Sequence, residues 1–368
     1  MNEILPRTKL WAHTMRGHGD DVITAHRSSS ARISPRPARE RAQREELERA
    51  LYVPEATFAS GAGHRAREEA PDRMRTCFER DRDRIVHSAA FRRLAGKTQV
   101  VVYPTDHQRT RLTHAIEVAQ CAIAMARGIG VNVTLTDAIA LGHDCGHGPG
   151  GHASEDAFDE FIATGYDHGP WGADVVLEPL NLTLETLDGI RNHSWSRPAP
   201  STIEGEIVSW ADRIAYCAHD LEDAVYAGIV DLADLPPVIR DVVGTTRREQ
   251  LATFINAVID TTGETGTVGM DATTAEALAE LRRFNYERIY TRPESVAQSS
   301  TVVAALRDLV NFYLENPRAL PQEYHGDDLV RGAVAYVGGM TDRFAFEQAQ
   351  RRLGWDPSRL PRGIGRGA

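Results

Sequence analysis

The stretch Leu141-Gly-His-Asp-Cys-Gly-His-Gly-Pro-Gly-Gly-His152 gathers His143, Asp144, His147 and His152 within ten residues. An apolar run from Thr136 leads into it with helical spacing, and its glycines stop that helix and let backbone and ligand approach closely. An imidazole beside a carboxylate at a helix end is half of a mixed nitrogen and oxygen ligand set. Such a set suits Mn, Fe, Ni, Co or Zn, and Mg where few imidazoles bind. The segment from Gly146 to Gly151 also spells G-x-G-x-x-G, the dinucleotide fingerprint, but that fingerprint requires a strand before it. A helical run precedes it here, so the nucleotide-binding α/β reading is set aside.

Working outward, two residues offer to complete the ligand set. His114 follows Arg109-Thr-Arg-Leu-Thr and opens a helical run carrying Ile116, Val118, Ala119 and Ile123. Asp212 interrupts the otherwise apolar Ile207-Val-Ser-Trp-Ala-Asp-Arg-Ile-Ala-Tyr216. A carboxylate on such a face needs a partner if it is buried. A lone histidine on an apolar helix is more often a hydrogen-bonded core residue than a ligand. Beside the 143–152 cluster, however, the four residues favour a metal.

The remaining pattern is helical. Apolar residues recur at three- and four-residue spacing over 82–94, 110–127, 154–163, 182–191, 202–226, 247–261, 273–290, 295–315 and 327–352. Thr136 and Thr202 read as N-caps, with Glu204 in the first turn after Thr202. Only 99–103 and 131–135 read as extended. The fold class is therefore all-α, with at most a small β-hairpin. Residues 1–70, rich in Arg, Ser and Pro over 26–44, read as poorly structured apart from a short helix at 40–51. A catalytic core over 71–230 and a helical C-terminal region over 231–368 follow.

The net charge of −10 gives no reason for bulk attraction to nucleic acid, so an anionic substrate must be drawn by a local basic pocket or a metal. The four cysteines stand singly, as in a reducing cytoplasm. Charges interrupt residues 1–20 and 115–141, so neither a signal peptide nor a membrane span is expected.

These residues resemble the HD superfamily of metal-dependent phosphohydrolases, and within it the dGTPase-like deoxynucleoside triphosphate triphosphohydrolases. The likeness runs through Arg82-Asp-Arg-Ile-Val-His…Lys97-Thr-Gln99, Arg109-Thr-Arg-Leu-Thr-His114, Asn181-Leu-Thr-Leu-Glu185, Trp210-Ala-Asp-Arg-Ile-Ala-Tyr216 and Gly339-Met-Thr-Asp-Arg-Phe344. It implies an HD-domain helical core with added C-terminal helices, which complete the nucleotide pocket and the oligomer contacts. It further implies metal ligation by His114, His143, Asp144 and Asp212, and a catalytic group of His152, Glu155 and His168. Substrate contacts would come from Arg111 at the α-phosphate, from Gln99 and Asp220 at the sugar 3′-hydroxyl, and from Tyr216 against the deoxyribose. Lys97, Arg93, Arg92 and Arg213 are further cations for the triphosphate. The implied partners are a deoxynucleoside triphosphate and further copies of the chain, such as a hexamer, with room for a regulatory nucleotide or single-stranded nucleic acid. Two segments depart from the family. Where it usually reads Leu-Gly-His-Pro-Pro-Phe-Gly-His, this chain reads Cys145-Gly-His-Gly-Pro-Gly-Gly-His152, and Tyr166-Asp-His-Gly-Pro-Trp171 replaces a different run.

The expected reaction is hydrolysis of a dNTP at the α-phosphorus, releasing deoxynucleoside and tripolyphosphate. On a helix, Glu155 lies one turn from His152 and can orient its imidazole. Asp212, Tyr216 and Asp220 share one face at i, i+4 and i+8, a polar-aromatic stripe better suited to a pocket than to a core. The alternatives are an HD-type 5′-deoxynucleotidase or phosphodiesterase, and a non-catalytic nucleotide- or single-strand-binding module.

Overall fold

A computed structural model describes residues 5–100 and 108–361. The helices in chain order are α1 Pro6–Thr14, α2 Arg41–Leu51, α3 Cys77–His87, α4 Ala89–Arg93, α5 Arg111–Ile129, α6 Val133–Gly142, α7 His152–Phe158 and α8 His168–Trp171. They continue with α9 Leu184–Asn192, α10 Ile203–Tyr226, α11 Pro237–Val243, α12 Arg247–Thr265, α13 Ala272–Asn285, α14 Pro293–Glu315, α15 Leu329–Gly338 and α16 Asp342–Leu353. Among the described residues there is no strand, only isolated bridges such as Thr98 with Thr110, so the fold is all-α as expected. Among the described residues no helix is long and apolar enough to cross a membrane.

The chain divides into two units, residues 1–39 and 40–368. The first carries α1 and a single bridge between His18 and Thr24. The second begins earlier than the sequence suggests. Residues 40–70, expected to be poorly structured beyond one helix, bury Ala56 and Ala59 in the core. Buried acids tie them down: Glu48 accepts from the Ala59 N–H at 2.8 Å, and Glu204 accepts from the Thr57 N–H at 3.0 Å and its hydroxyl at 2.8 Å. Composition missed this because the segment is held by polar anchors more than by apolar bulk.

Two apolar cores build the second unit. The larger joins α3, α5, α6, α9, α10, α12 and α13, and the smaller joins α7, α14, α15 and α16. Alanines on α5 (Ala115, Ala119, Ala122, Ala126) are buried and let α6 and α10 approach closely. The 143–151 loop crosses from one core to the other, since α6 belongs to the first and α7 to the second.

Several boundaries move for local reasons. The stretch 131–135 is not extended. Asn132 caps α6 by accepting from the N–H groups of Thr134 and Leu135, which places Thr136 inside the helix rather than at its start. Of the extended reading at 99–103, only Gln99 and Val100 lie within the described residues. Thr202 does cap α10. The run 327–352 splits in two, because Thr341 caps a new helix after the glycines at 338 and 339.

Candidate active site

Three helix positions converge on a cavity of about 570 Å³, a size that encloses a nucleotide-scale ligand. At the start of α5, a capping box between Thr110 and Thr113 sets the first turn and turns Arg111 and His114 inward, both buried. At the end of α6, the His143 Nδ1–H donates to the Ala140 carbonyl at 2.6 Å, which fixes the tautomer and leaves the Nε2 lone pair toward the carboxylates of Asp144 and Asp212. From the middle of α10, Asp212 Oδ1 lies 3.1 Å from His114 Nε2 and 3.6 Å from His143 Nε2. Donor atoms of His114, His143 and Asp212 all fall within 4.8 Å of one another.

Asp144 sits beside this trio. Its Oδ2 accepts from Arg111 at 2.8 Å, and its Oδ1 lies 3.6 Å from His143 Nε2 and 3.2 Å from His147 Nε2. Among the described residues, His143 Nε2 is buried without a hydrogen-bond partner. A buried, unmatched lone pair beside two carboxylates is costly by itself, and a divalent cation would resolve it. The nitrogen and oxygen donors thus fit a metal ion. Burial would raise the Asp144 carboxyl, yet Arg111, His143 and His147 around it hold it well below the usual range. Asp212 is lowered likewise, burial being outweighed by its hydrogen bond with His114 and the nearby imidazoles. Both therefore stay ionised as ligands must.

A second group adjoins it, with His168 Nε2 3.9 Å from Asp144 Oδ1. Glu155 receives the Nδ1–H of His152 at 2.8 Å through Oε2, and the Nδ1–H of His168 at 2.7 Å through Oε1. One carboxylate therefore orients two imidazoles. Burial opposes its charge, but these two contacts keep Glu155 ionised far below its ordinary value. His168 Nε2 lies 3.1 Å from His193 Nε2, and His193 in turn donates Nδ1–H to the Ile190 carbonyl at 2.7 Å. His193 is thus an acceptor toward His168, and burial with the neighbouring His168 and His143 pushes it down to about 3.

The glycine loop makes this crowding feasible. A Cβ on Gly146 would lie 2.0 Å from the His168 carbonyl oxygen. Gly151 has φ +63° and a Cβ there would meet Arg111 at 2.7 Å. Side chains at either place would push apart the groups the cavity needs together.

One and two turns further along α10, Tyr216 and Asp220 line the same cavity as Asp212, as their shared helix face predicts. Asp220 is buried and accepts from the Tyr290 hydroxyl at 2.5 Å, and its other oxygen has no partner among the described residues. Burial raises its carboxyl to about 7. Gln99 also lines the cavity with its side-chain oxygen unmatched. The Tyr216 hydroxyl accepts from Arg282 at 2.9 Å.

Lys97 and Arg93 do not join this set. Lys97 is buried and donates to the carbonyls of His147 at 2.5 Å and Gly338 at 2.9 Å, while Arg93 donates to the Gly339 carbonyl at 2.8 Å. They tie the 143–151 loop and α4 to the end of α15, because a buried cation must spend its donors on nearby acceptors. Asp342 reinforces the seam, accepting from the Gly150 N–H at 2.9 Å and the Thr98 hydroxyl at 2.5 Å.

Residues not singled out from the sequence also line the cavity. They are His193, Trp195, Arg282, Tyr286 and Tyr290, and His147 joins them from within the quoted loop. His193 carried a usable signal, since it follows α9 as His143 follows α6 and both donate Nδ1–H back into the last turn. Tyr286 and Tyr290 sit in a π-helical turn between α13 and α14, a widening that often occurs at functional sites and leaves no periodicity to read.

The HD domain matches residues 111–217, the span from Arg111 to just past Asp212. The phosphohydrolase-associated domain matches residues 268–351, which supply Arg282, Tyr286 and Tyr290. The chain is 39% identical over 315 residues to a deoxyguanosinetriphosphate triphosphohydrolase-like protein of Caldanaerobacter subterraneus subsp. tengcongensis, covering 82% of this chain and 92% of that one. It is 36% identical over 323 residues to a protein of the same description from Clostridium tetani, covering 82% and 93%. A third, from Desulfatibacillum aliphaticivorans, is 37% identical over 342 residues, covering 85% and 97%.

Proposed function

The chain belongs to the deoxyguanosinetriphosphate triphosphohydrolase-like family of HD-domain phosphohydrolases, and from that premise we infer that it is a metal-dependent hydrolase of deoxynucleoside triphosphates, releasing deoxynucleoside and intact tripolyphosphate. One observation carries the reading. Arg111, His114, Asp212, His152 and His168 line one cavity with the unmatched side-chain oxygens of Gln99 and Asp220, while His143 completes a three-donor cluster with His114 and Asp212 and Glu155 joins His152 to His168.

His114, His143, Asp144 and Asp212 would hold the ion. When bound, a divalent ion polarises phosphoryl oxygen and lowers the pKa of an attacking water. The chain's own groups divide the remaining work. Arg111 keeps Nε and one terminal nitrogen unmatched among the described residues, donors suited to the α-phosphate. Arg213 also lines the cavity and would serve the outer phosphates. The unmatched oxygens of Gln99 and Asp220 suit the donor of a sugar hydroxyl, with Tyr216 beside the ring. Glu155 fixes the Nδ1–H of His152, leaving Nε2 to give or take a proton as the phosphoester breaks, and His168 is held for the same transition state.

The test is incubation of metal-loaded protein with each dNTP, dNMP and ribonucleotide, with products resolved by ion exchange. Release of tripolyphosphate from a dNTP is expected. Orthophosphate from dNMPs alone would replace this reading with a 5′-deoxynucleotidase, and no turnover with any metal would replace it with a binding module. The inference extends to a cytoplasmic homo-oligomer, which light scattering on the purified chain checks for assembly.

A further inference from the structure

Trp195 follows α9 and lines the cavity, yet it remains 47% exposed. A single exposed aromatic residue is ordinary. This one is fixed on three sides. Its indole N–H donates to the Ser209 carbonyl at 3.0 Å, its ring meets Trp210 edge-on at 4.8 Å between centroids, and the Arg213 guanidinium lies over its face at 3.7 Å. Arg213 forms no ion pair with a carboxylate among the described residues, although its neighbour Asp212 belongs to the metal cluster.

An indole face holds a guanidinium through its π-system and uses none of the in-plane N–H donors. A stacked arginine therefore keeps its whole donor fork for an anion. It has also lost most of its rotamer freedom before the anion arrives, so less entropy is lost on binding. We propose that Trp195 is a positioning residue that stacks on Arg213 and presents the guanidinium edge, pre-ordered, to the outer phosphates of the substrate. The proposal rests on reading the cavity as a triphosphate site, and it concerns a residue outside the metal and proton-transfer groups.

The experiment is calorimetric titration of inorganic tripolyphosphate into metal-loaded protein, with dGTP kinetics in parallel, for wild type, Trp195→Leu, Trp195→Phe, Arg213→Ala and the double variant Trp195→Leu/Arg213→Ala. Trp195→Leu should weaken tripolyphosphate binding and raise KM about five- to tenfold, a loss in the range of one cation–π contact, with kcat and deoxyguanosine binding within about twofold. Trp195→Phe, which keeps an aromatic face, should recover most of the loss. In the Arg213→Ala background, Trp195→Leu should add nothing, because a residue acting only through Arg213 has no effect without it. An undiminished Trp195→Leu effect in that background, or wild-type affinity in Trp195→Leu alone, would overturn the proposal. A wild-type protein that ignores tripolyphosphate, or an Arg213→Ala variant that binds it normally, would instead remove the triphosphate reading beneath it.

Discussion

Replacing Lys97 with methionine keeps the length of a buried stem and deletes the ammonium that bridges the His147 and Gly338 carbonyls at 2.5 and 2.9 Å. Burial, with Arg93 nearby, pushes Lys97 down from 10.5 to about 8. The folded chain therefore gives up this proton near pH 8, whereas the unfolded chain keeps it to about 10.5. Between those values the unfolded state binds more protons, so stability rises with pH through that window, and below it the buried charge is a standing cost. The full shift corresponds to about 3 kcal/mol, of which about 2 kcal/mol should be regained between pH 7 and 9.5. Methionine has no such titration. At pH 7 the variant escapes the charge cost but leaves two carbonyls without their donor, at about 1–3 kcal/mol each. The two effects nearly offset, so near-wild-type stability is expected there. Urea unfolding followed by circular dichroism at pH 7, 8, 9 and 9.5 reads the difference between the two proteins. It should widen by about 2 kcal/mol in favour of wild type. Parallel pH profiles would refute the buried-ammonium account, whatever the offset at pH 7.

His114→Ala or Asp212→Ala should abolish stoichiometric metal in elemental analysis and lower dNTP turnover by about 10³-fold or more; full metal content in either variant would remove that residue from the ligand set. Glu155→Gln should retain metal and substrate affinity while lowering kcat on the order of 10²-fold, since one change releases both His152 and His168. Asp220 holds its proton up to about 7 when folded, against 3.8 for the ordinary group, so its contribution to stability is present at acid pH and declines as pH rises from about 4 through 7. Asp220→Asn should erase that decline, on the order of 3–4 kcal/mol in the wild-type minus variant difference, and weaken deoxynucleoside binding; an unchanged pH slope would contradict it.

Much of the site was legible because its residues announce their chemistry locally. His143 and Asp144 stand together in a glycine loop, Thr202 starts a helix that carries Asp212, Tyr216 and Asp220 down one face, and Glu155 lies a turn from His152. Helical period and ligand type are short-range properties, so spacing alone places them. Lys97 and Arg93 show where such reading stops. A cation near a phosphate-site motif looks like a phosphate ligand in one dimension, but the partners here are carbonyls 50 and 241 positions from Lys97 and 246 positions from Arg93.

The sequence by itself determined the helical class, and it put forward His114, His143, Asp144 and Asp212 as candidate metal donors and His152, Glu155 and His168 as a candidate catalytic group, since residue type, helical spacing and motif are all read along the chain. Only the tertiary structure decided which groups share a cavity. It brought His193, Trp195, Arg282 and Tyr290 to residues far along the chain and turned the Lys97 ammonium to the His147 and Gly338 carbonyls. It also made Glu155 the common partner of His152 and His168. The physical reason is that a buried charge or hydrogen-bond donor settles on whichever acceptor packing brings near it, and packing pairs residues without regard to their separation along the chain.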